Sequence, residues 1–375
     1  MNVISKYNGL LDLHNLSNLY ANKNILLVTG KKSFETSGAK KIMQYHLQDE
    51  RVVQFSDFSV NPKIEDAIQG ASIAKENNIE VIIAIGGGSV LDIAKLIKAF
   101  ITSSGNEINL VKGEDTVVDS SIPIIAIPTT AGSGSEATHF AVVHVGEDKY
   151  SLAAPCLLPN AVILDGALAI TGSKYLKSCS ALDAMSQAIE SYWAAGSTTE
   201  SQRYAISSIE RGWKMILTYV SDRCYESNAQ NMIESAHLAG KAINISKTTA
   251  AHAWSYAFTS IYKIPHGHAV WLTLPAIFEV HLRSTISSIT DKRGSYYFQD
   301  IVKKLTNALD LDGSESVSYQ LEKFLIQIDI EPKMENLGCD KQVKKLDVSG
   351  RANIERMVNN PVDLSDFVNR IFRLE

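Results

Sequence analysis

At 375 residues, 45% hydrophobic and 21% charged, the chain has the composition of a folded globular protein with room for about two domains. Thirty-six basic against forty-one acidic side chains give a net charge of −5, which argues against a nucleic-acid or membrane-surface partner, because either would favour a basic face. Four scattered cysteines (Cys156, Cys179, Cys224, Cys339) without a C-x-x-C pair argue against a disulfide framework or a thiolate zinc site.

The first residues show no basic and apolar leader, and no apolar run approaches the ~20 residues of a membrane span, so a cytoplasmic enzyme or binding protein is expected. In chain order, Asn24–Thr29 reads as a buried strand ended by Gly30, and Ser33–Gln48 as a helix. Val52–Phe55 is extended and Lys63–Asn78 has helical spacing. Val81–Ile85 is a third strand, followed by Gly86–Gly88 and the helical Leu91–Phe100; Ile122–Ile127 is a fourth strand. Unbroken Val/Ile runs suit strands buried on both faces, as in a parallel sheet covered by helices.

From about Thr171 the periodicity is helical: Ser178–Ala195, Thr199–Val220, Asn228–Ile245, Ala251–Tyr262 and Thr273–Leu282. The expected architecture is an α/β dinucleotide-binding domain over 1–170 and an all-α metal- and substrate-binding domain over 171–375. The polar stretch Asp312–Gly350 is unassigned.

Three loops after strands carry chemical signals. In Gly86–Lys95 (G-G-G-S-V-L-D-I-A-K) the glycines let backbone approach a ligand, and the N–H groups and dipole of the following helix favour an anion such as a pyrophosphate. Pro128–Glu136 (P-T-T-A-G-S-G-S-E) offers hydroxyls and glycines at another strand end, as a nucleotide crevice in an open α/β sheet requires. Gly30, Lys31, Lys32 and Ser33 offer no acid for ribose hydroxyls; they suit a 2′-phosphate and so NADP(H) over NAD(H), or else form a solvated loop with ordinary surface lysines.

In the helical half, Asp183 and Gln187 share a helix face at i and i+4, while His252, His266 and His268 flank a break at Pro265–Gly267. One carboxylate and two imidazoles can hold a divalent metal with open positions, although each histidine alone also fits a hydrogen-bonded structural role.

In combination these motifs resemble the iron-containing (group III metal-dependent) alcohol dehydrogenase family. They are G-G-G-S-V-L-D-I-A-K, I-P-T-T-A-G-S-G-S-E, L-D-A-M-S-Q-A-I-E-S-Y and H-A-W followed by I-P-H-G. The segments D-A-M-S-Q-A-I-E-S-Y-W and I-P-H-G-H-A-V are most similar to its phosphonoacetaldehyde reductase (hydroxyethylphosphonate dehydrogenase) subgroup. The resemblance covers nearly the whole chain and implies a dehydroquinate synthase-like architecture.

The resemblance also implies site residues. Gly87, Gly88, Ser89 and Asp92 would line the pyrophosphate and nicotinamide ribose; Thr129, Thr130, Ser133, Lys149, Asn61 and Thr171 would contact the cofactor. Asp183, His252 and His266 would be metal ligands, with Gln187 where many members have histidine; an amide oxygen is a weaker, neutral donor. Iron(II) is expected, with zinc or another divalent ion as alternatives.

The implied reaction is hydride transfer between NADP(H) or NAD(H) and a small aldehyde or primary alcohol, with the metal as Lewis acid. His268 or water would relay the proton, and Lys247 would pair with a phosphonate. A homodimer follows by analogy. The alternatives are a dehydroquinate synthase-like lyase, a glycerol-1-phosphate dehydrogenase-like enzyme, or a nucleotide-binding protein with a degenerate metal site.

Overall fold

The Val/Ile runs become strands of a single parallel sheet. β1 (Asn2–Ser5), β2 (Asn24–Thr29), β3 (Arg51–Phe55), β4 (Val81–Gly86) and β5 (Ile124–Pro128) are followed by an antiparallel hairpin, β6 (Phe140–Val145) with β7 (Asp148–Ala153), and then by β8 (Ala161–Leu164). The sheet order is β1-β8-β5-β4-β2-β3, and every pairing within it is parallel. The computed structural model describes residues 1–103, 105–146, 148–221, 223–339 and 352–372.

The register aligns Leu27, Ile83, Ile125 and Ala161 in one row across four strands. That row packs with Leu10, Leu13, Phe34 and Met43, while Leu26, Ile82, Ala84 and Ala126 on the opposite face are equally buried. Two covered faces explain why these strands show no apolar–polar alternation. The long helices α1 (Ile64–Glu76) and α2 (Gly88–Ile101) follow β3 and β4. The helix expected over Ser33–Gln48 is two pieces, Ser33–Thr36 and Ala39–His46, because Gly38 adopts φ 79 between them.

After residue 171 the elements are helical: α3 (Lys174–Trp193), α4 (Thr199–Gly212), α5 (Glu226–Ser246), α6 (Ala250–Tyr262), α7 (His266–Trp271), α8 (Leu274–Leu282), α9 (Ser295–Ala308), α10 (Val317–Gln327) and α11 (Ile354–Val358). The hydroxyls of Ser173, Thr198 and Ser316 cap α3, α4 and α10, accepting from otherwise orphaned N–H groups. The expected helix Thr199–Val220 is interrupted after Gly212 by a 3-10 turn, Trp213–Met215. Of the unassigned stretch, Val317–Gln327 is helical and residues 340–350 lie outside the described residues.

The chain divides into two units. The first is Met1–Thr171 with Tyr225–His237; the second is Gly172–Cys224 with Leu238–Glu375. The early turns of α5 therefore count with the first unit, where a single boundary was expected. Among the described residues no helix is long and apolar enough to cross a membrane.

Candidate functional site

In the first unit, β5, β4 and β2 are adjacent, so the loops after them emerge side by side at the carboxyl edge of the sheet. The chain moves from β2 outward to β3 and then back across to β4, the kind of reversal beside which open α/β sheets bind ligands. Gly86 accepts from the Thr129 N–H at 2.9 Å, which ties the second loop to the first. A Cβ on Gly88 would lie 2.7 Å from Ser133 Oγ and 3.0 Å from Ser133 Cβ, so the lack of a side chain at Gly88 eases the close approach of these two loops. Gly87 faces Thr130.

Two features of this edge fit an anionic nucleotide. α2 begins at Gly88, so its first-turn N–H groups point out of the sheet edge. Thr129 Oγ1 is buried and makes no hydrogen bond within the described chain. The Ser89 hydroxyl is taken by the Val60 carbonyl, which fastens the loop carrying exposed Asn61 to the start of α2.

Asp92 and Lys95 lie three residues apart on α2. Asp92 accepts from Ser135 Oγ at 2.6 Å and from the Val142 N–H at 3.2 Å, so it anchors the second loop and the hairpin, whose β7 carries Lys149. Lys95 is fully buried. Its ammonium donates to Ser135 O at 2.5 Å, Ser135 Oγ at 3.0 Å, Thr138 Oγ1 at 3.0 Å and Phe140 O at 2.9 Å. Burial pulls its pKa down to about 8, against the raising pull of Asp92 and Glu136. Sequence reasoning gave Lys95 no role, although its place one turn after Asp92 was the available signal.

The third loop differs from expectation. Lys31 is not an isolated cation: Asp57, after β3, pairs with it at 2.6 Å, both side chains exposed. An acid thus stands beside Gly30–Ser33, on the segment after the neighbouring strand. Thr171 donates only to Leu168 O, at 3.3 Å, and no described hydrogen bond joins it to these loops.

In the second unit, α3 presents Asp183, Gln187 and Glu190 on one face, at i, i+4 and i+7. α7 docks on α3 with almost no space between the backbones: a Cβ on Gly267 would meet Cys179 O at 1.9 Å, and Trp271 Nε1 donates to Leu182 O at 2.8 Å. The I-P-H-G-H segment therefore needs its glycine to bring His266 to Asp183. Ligand atoms of Asp183, His252 and His266 all lie within 4.8 Å of one another. Asp183 Oδ1 is 3.6 Å from His252 Nε2 and 3.9 Å from His266 Nε2.

The donor set fits a divalent cation. His252 Nε2 is buried without a hydrogen-bond partner, while its Nδ1 contacts Glu190 Oε2. Glu190 is fully buried; its Oε1 accepts from the N–H groups of Thr249 and Ala251 at 3.1 and 3.0 Å and from the Thr249 hydroxyl at 2.7 Å. It caps α6 and turns the imidazole with one nitrogen toward the cluster, the usual partner of a metal-binding histidine. Burial opposes a charged His252, but the carboxylates of Glu190 and Asp183 outweigh it and hold its pKa above the ordinary value. Burial likewise opposes ionised Asp183, and the two imidazoles outweigh it, so its pKa is lowered. Sequence reasoning missed Glu190, whose signal was its shared face with Asp183.

Three further expected residues make contacts within the chain. Gln187 donates its amide N–H to Asp183 Oδ1 at 3.1 Å and so steadies the carboxylate, while its amide oxygen is the atom it would offer a cation. His268 accepts from the Tyr175 hydroxyl at 2.9 Å and donates Nε2–H to Glu331 O at 2.8 Å; both nitrogens are engaged within the chain, and burial lowers its pKa. Lys247, itself exposed, pairs with exposed Glu355.

Residues 2–166 match the iron-containing alcohol dehydrogenase family, and residues 178–366 match the C-terminal part of the Fe-containing alcohol dehydrogenase family. The chain is 32% identical over 220 residues to the probable alcohol dehydrogenase EutG of Escherichia coli, covering 58% of this chain and 55% of that protein. It is 29% identical over 265 residues to phosphonoacetaldehyde reductase of Streptomyces viridochromogenes, covering 68% and 66%. A third or more of each relative's length is thus unmatched. In fold the chain is similar to sulfoacetaldehyde reductase from Bifidobacterium kashiwanohense, solved with NAD+: TM-score 0.85 at 23% identity, covering 100% of this chain and 96% of that one.

Proposed function

The chain belongs to the iron-containing alcohol dehydrogenase family, and on that premise we propose that it reduces a small aldehyde to the primary alcohol at the expense of a reduced nicotinamide nucleotide. The observation that carries the proposal is the cluster of Asp183, His252 and His266, with a buried imidazole nitrogen left without a hydrogen bond. A divalent cation held there would supply Lewis acidity to a carbonyl oxygen. One carboxylate and two imidazoles suit iron(II) and zinc(II) alike.

The chain's own residues do the positioning. Glu190 fixes the tautomer of His252, and Gln187 steadies Asp183. The paired glycine and hydroxyl loops are assigned to the pyrophosphate and adjoining ribose of the nucleotide. Asp57 beside Lys31 puts an acceptor for ribose hydroxyls and a cation for a 2′-phosphate at one place, so both NAD(H) and NADP(H) enter the reading. With His268 engaged, the proton for the product oxygen is assigned to water. The specific reaction put forward is phosphonoacetaldehyde to 2-hydroxyethylphosphonate, on the likeness to the Streptomyces reductase.

The test is an aldehyde panel that includes propanal and phosphonoacetaldehyde. Each is offered with NADH and NADPH in parallel, with iron(II) or zinc(II) added, following nucleotide absorbance and alcohol formed. One equivalent of nucleotide oxidised per alcohol is expected for at least one pair. No coupled turnover with any aldehyde, nucleotide and metal would refute the proposal.

A further inference from the structure

We propose that Arg356 on α11 is an anion-binding residue of this same site, selecting aldehydes that carry a tetrahedral oxyanion, phosphonate or sulfonate; the proposal rests on the oxidoreductase reading above. The guanidinium lies 5.1 Å from the centre of the Tyr256 ring, and that ring in turn stacks on His266 with centroids 6.2 Å apart and planes 25° from parallel. One aromatic ring therefore separates a fixed cation from a residue of the Asp183–His252–His266 cluster.

The donors of this arginine are largely unspent. Among the described residues Nη1 donates to Thr248 Oγ1 at 2.5 Å, and no carboxylate pairs with the side chain. A guanidinium presents five N–H groups in a rigid fork, and with Nη1 on Thr248 the remaining donors can meet an oxyanion.

Arg293, in the same unit, shows what a structural arginine looks like here. Its Nε and Nη2 hold Asp291, Nη2 also holds Ala194 O, and Nη1 holds Ser197 and Tyr297. All three nitrogens are committed to the fold.

A purely structural duty for Arg356 would be to tie α11 to residues 246–248, but that tie already exists. Asn359 Nδ2 donates to Ser246 O at 2.8 Å and Thr248 O at 3.0 Å, and its Oδ1 accepts from the Gly196 N–H at 2.8 Å. The nearest acid in sequence, Glu355, is taken by Lys247. The charge on Arg356 is thus the one in this segment that no described carboxylate offsets. Thr248, nearly buried, holds the fork from one side and fixes its direction.

The test has a binding arm and a kinetic arm, both on the metal-loaded full chain. By calorimetry, methylphosphonate and methanesulfonate should bind wild type, and Arg356→Ala should weaken binding by about tenfold to a hundredfold, as expected for a lost charge-assisted fork. Arg356→Lys should recover part of the loss, since a point charge replaces the fork. In kinetics, the ratio of kcat/KM for phosphonoacetaldehyde to that for propanal should fall by a similar factor in Arg356→Ala. That ratio is taken within one preparation, so loss of folded protein cannot mimic it.

If methylphosphonate and methanesulfonate ignore wild type, or bind Arg356→Ala as well, or if the ratio stays put, the proposal is overturned. Reduction of propanal combined with Arg356-independent oxyanion binding would sink this site and leave the oxidoreductase reading standing. Arg356-dependent oxyanion binding by a protein that turns over no aldehyde would do the reverse.

Discussion

Lys95 and Glu190 are charges buried completely in the two units, and each is stabilised by being used. Lys95 spends its ammonium on two carbonyls and two hydroxyls of the Ser135–Phe140 segment; Glu190 spends its carboxylate on the first turn of α6 and on His252. The sequence names both residues but not these duties, because the partners lie forty or more positions away. Lys95 makes a prediction about pH. Its folded pKa of about 8 lies below the ordinary lysine value of 10.5, so between those limits the unfolded chain binds more protons. The stability of wild type relative to Lys95→Met should therefore rise with pH across that window, by on the order of 1 kcal/mol per pH unit, and this increment is lost as pH falls through about 8. Urea titrations of both proteins at the two ends of the window check it; a difference that is flat or falls with pH contradicts the assignment.

Among the elements, the packing of α7 on α3 decides whether a metal cluster exists. The i, i+4 spacing of Asp183 and Gln187 on α3 was legible as a face, and the break at Pro265 was legible as a turn. What could not be read was how closely the two backbones approach, which follows from Gly267 lying against Cys179 O. Gly267→Ala should consequently lower the melting temperature, with a cost of about 3 kcal/mol from forced separation of the helices, and should weaken zinc binding because His266 moves with α7. Melting curves with and without zinc measure both effects; an unchanged midpoint with unchanged zinc affinity would show that the contact is not tight. Elsewhere the limits of pattern reading have local causes. β1 and β8 have only four residues each, too few for periodicity. The β6–β7 hairpin mixes polar and apolar residues outside the main sheet, and Gly38 split a helix whose apolar spacing continued past it.

For the molecule as a whole, the α/β-then-helical order and the family were legible from motifs in sequence, and the parallel sheet followed from its unbroken Val/Ile runs. The return of Tyr225–His237 to the first unit was not, since nothing in a helical repeat says which core it will join. Nor was the Lys31–Asp57 pair, which only the β2–β3 adjacency creates. The central claim is that Asp183, His252 and His266 hold a cation on which nicotinamide-dependent aldehyde reduction depends. The most direct measurement strips the purified protein of metal, refills it with iron(II) or zinc(II), and follows NADH and NADPH oxidation with aldehyde alongside metal content, in wild type and in Asp183→Asn. The account predicts one bound metal per chain and turnover in the refilled wild type, with both lost in the stripped protein and in the variant. Full turnover by metal-free protein, or by Asp183→Asn without bound metal, would contradict it.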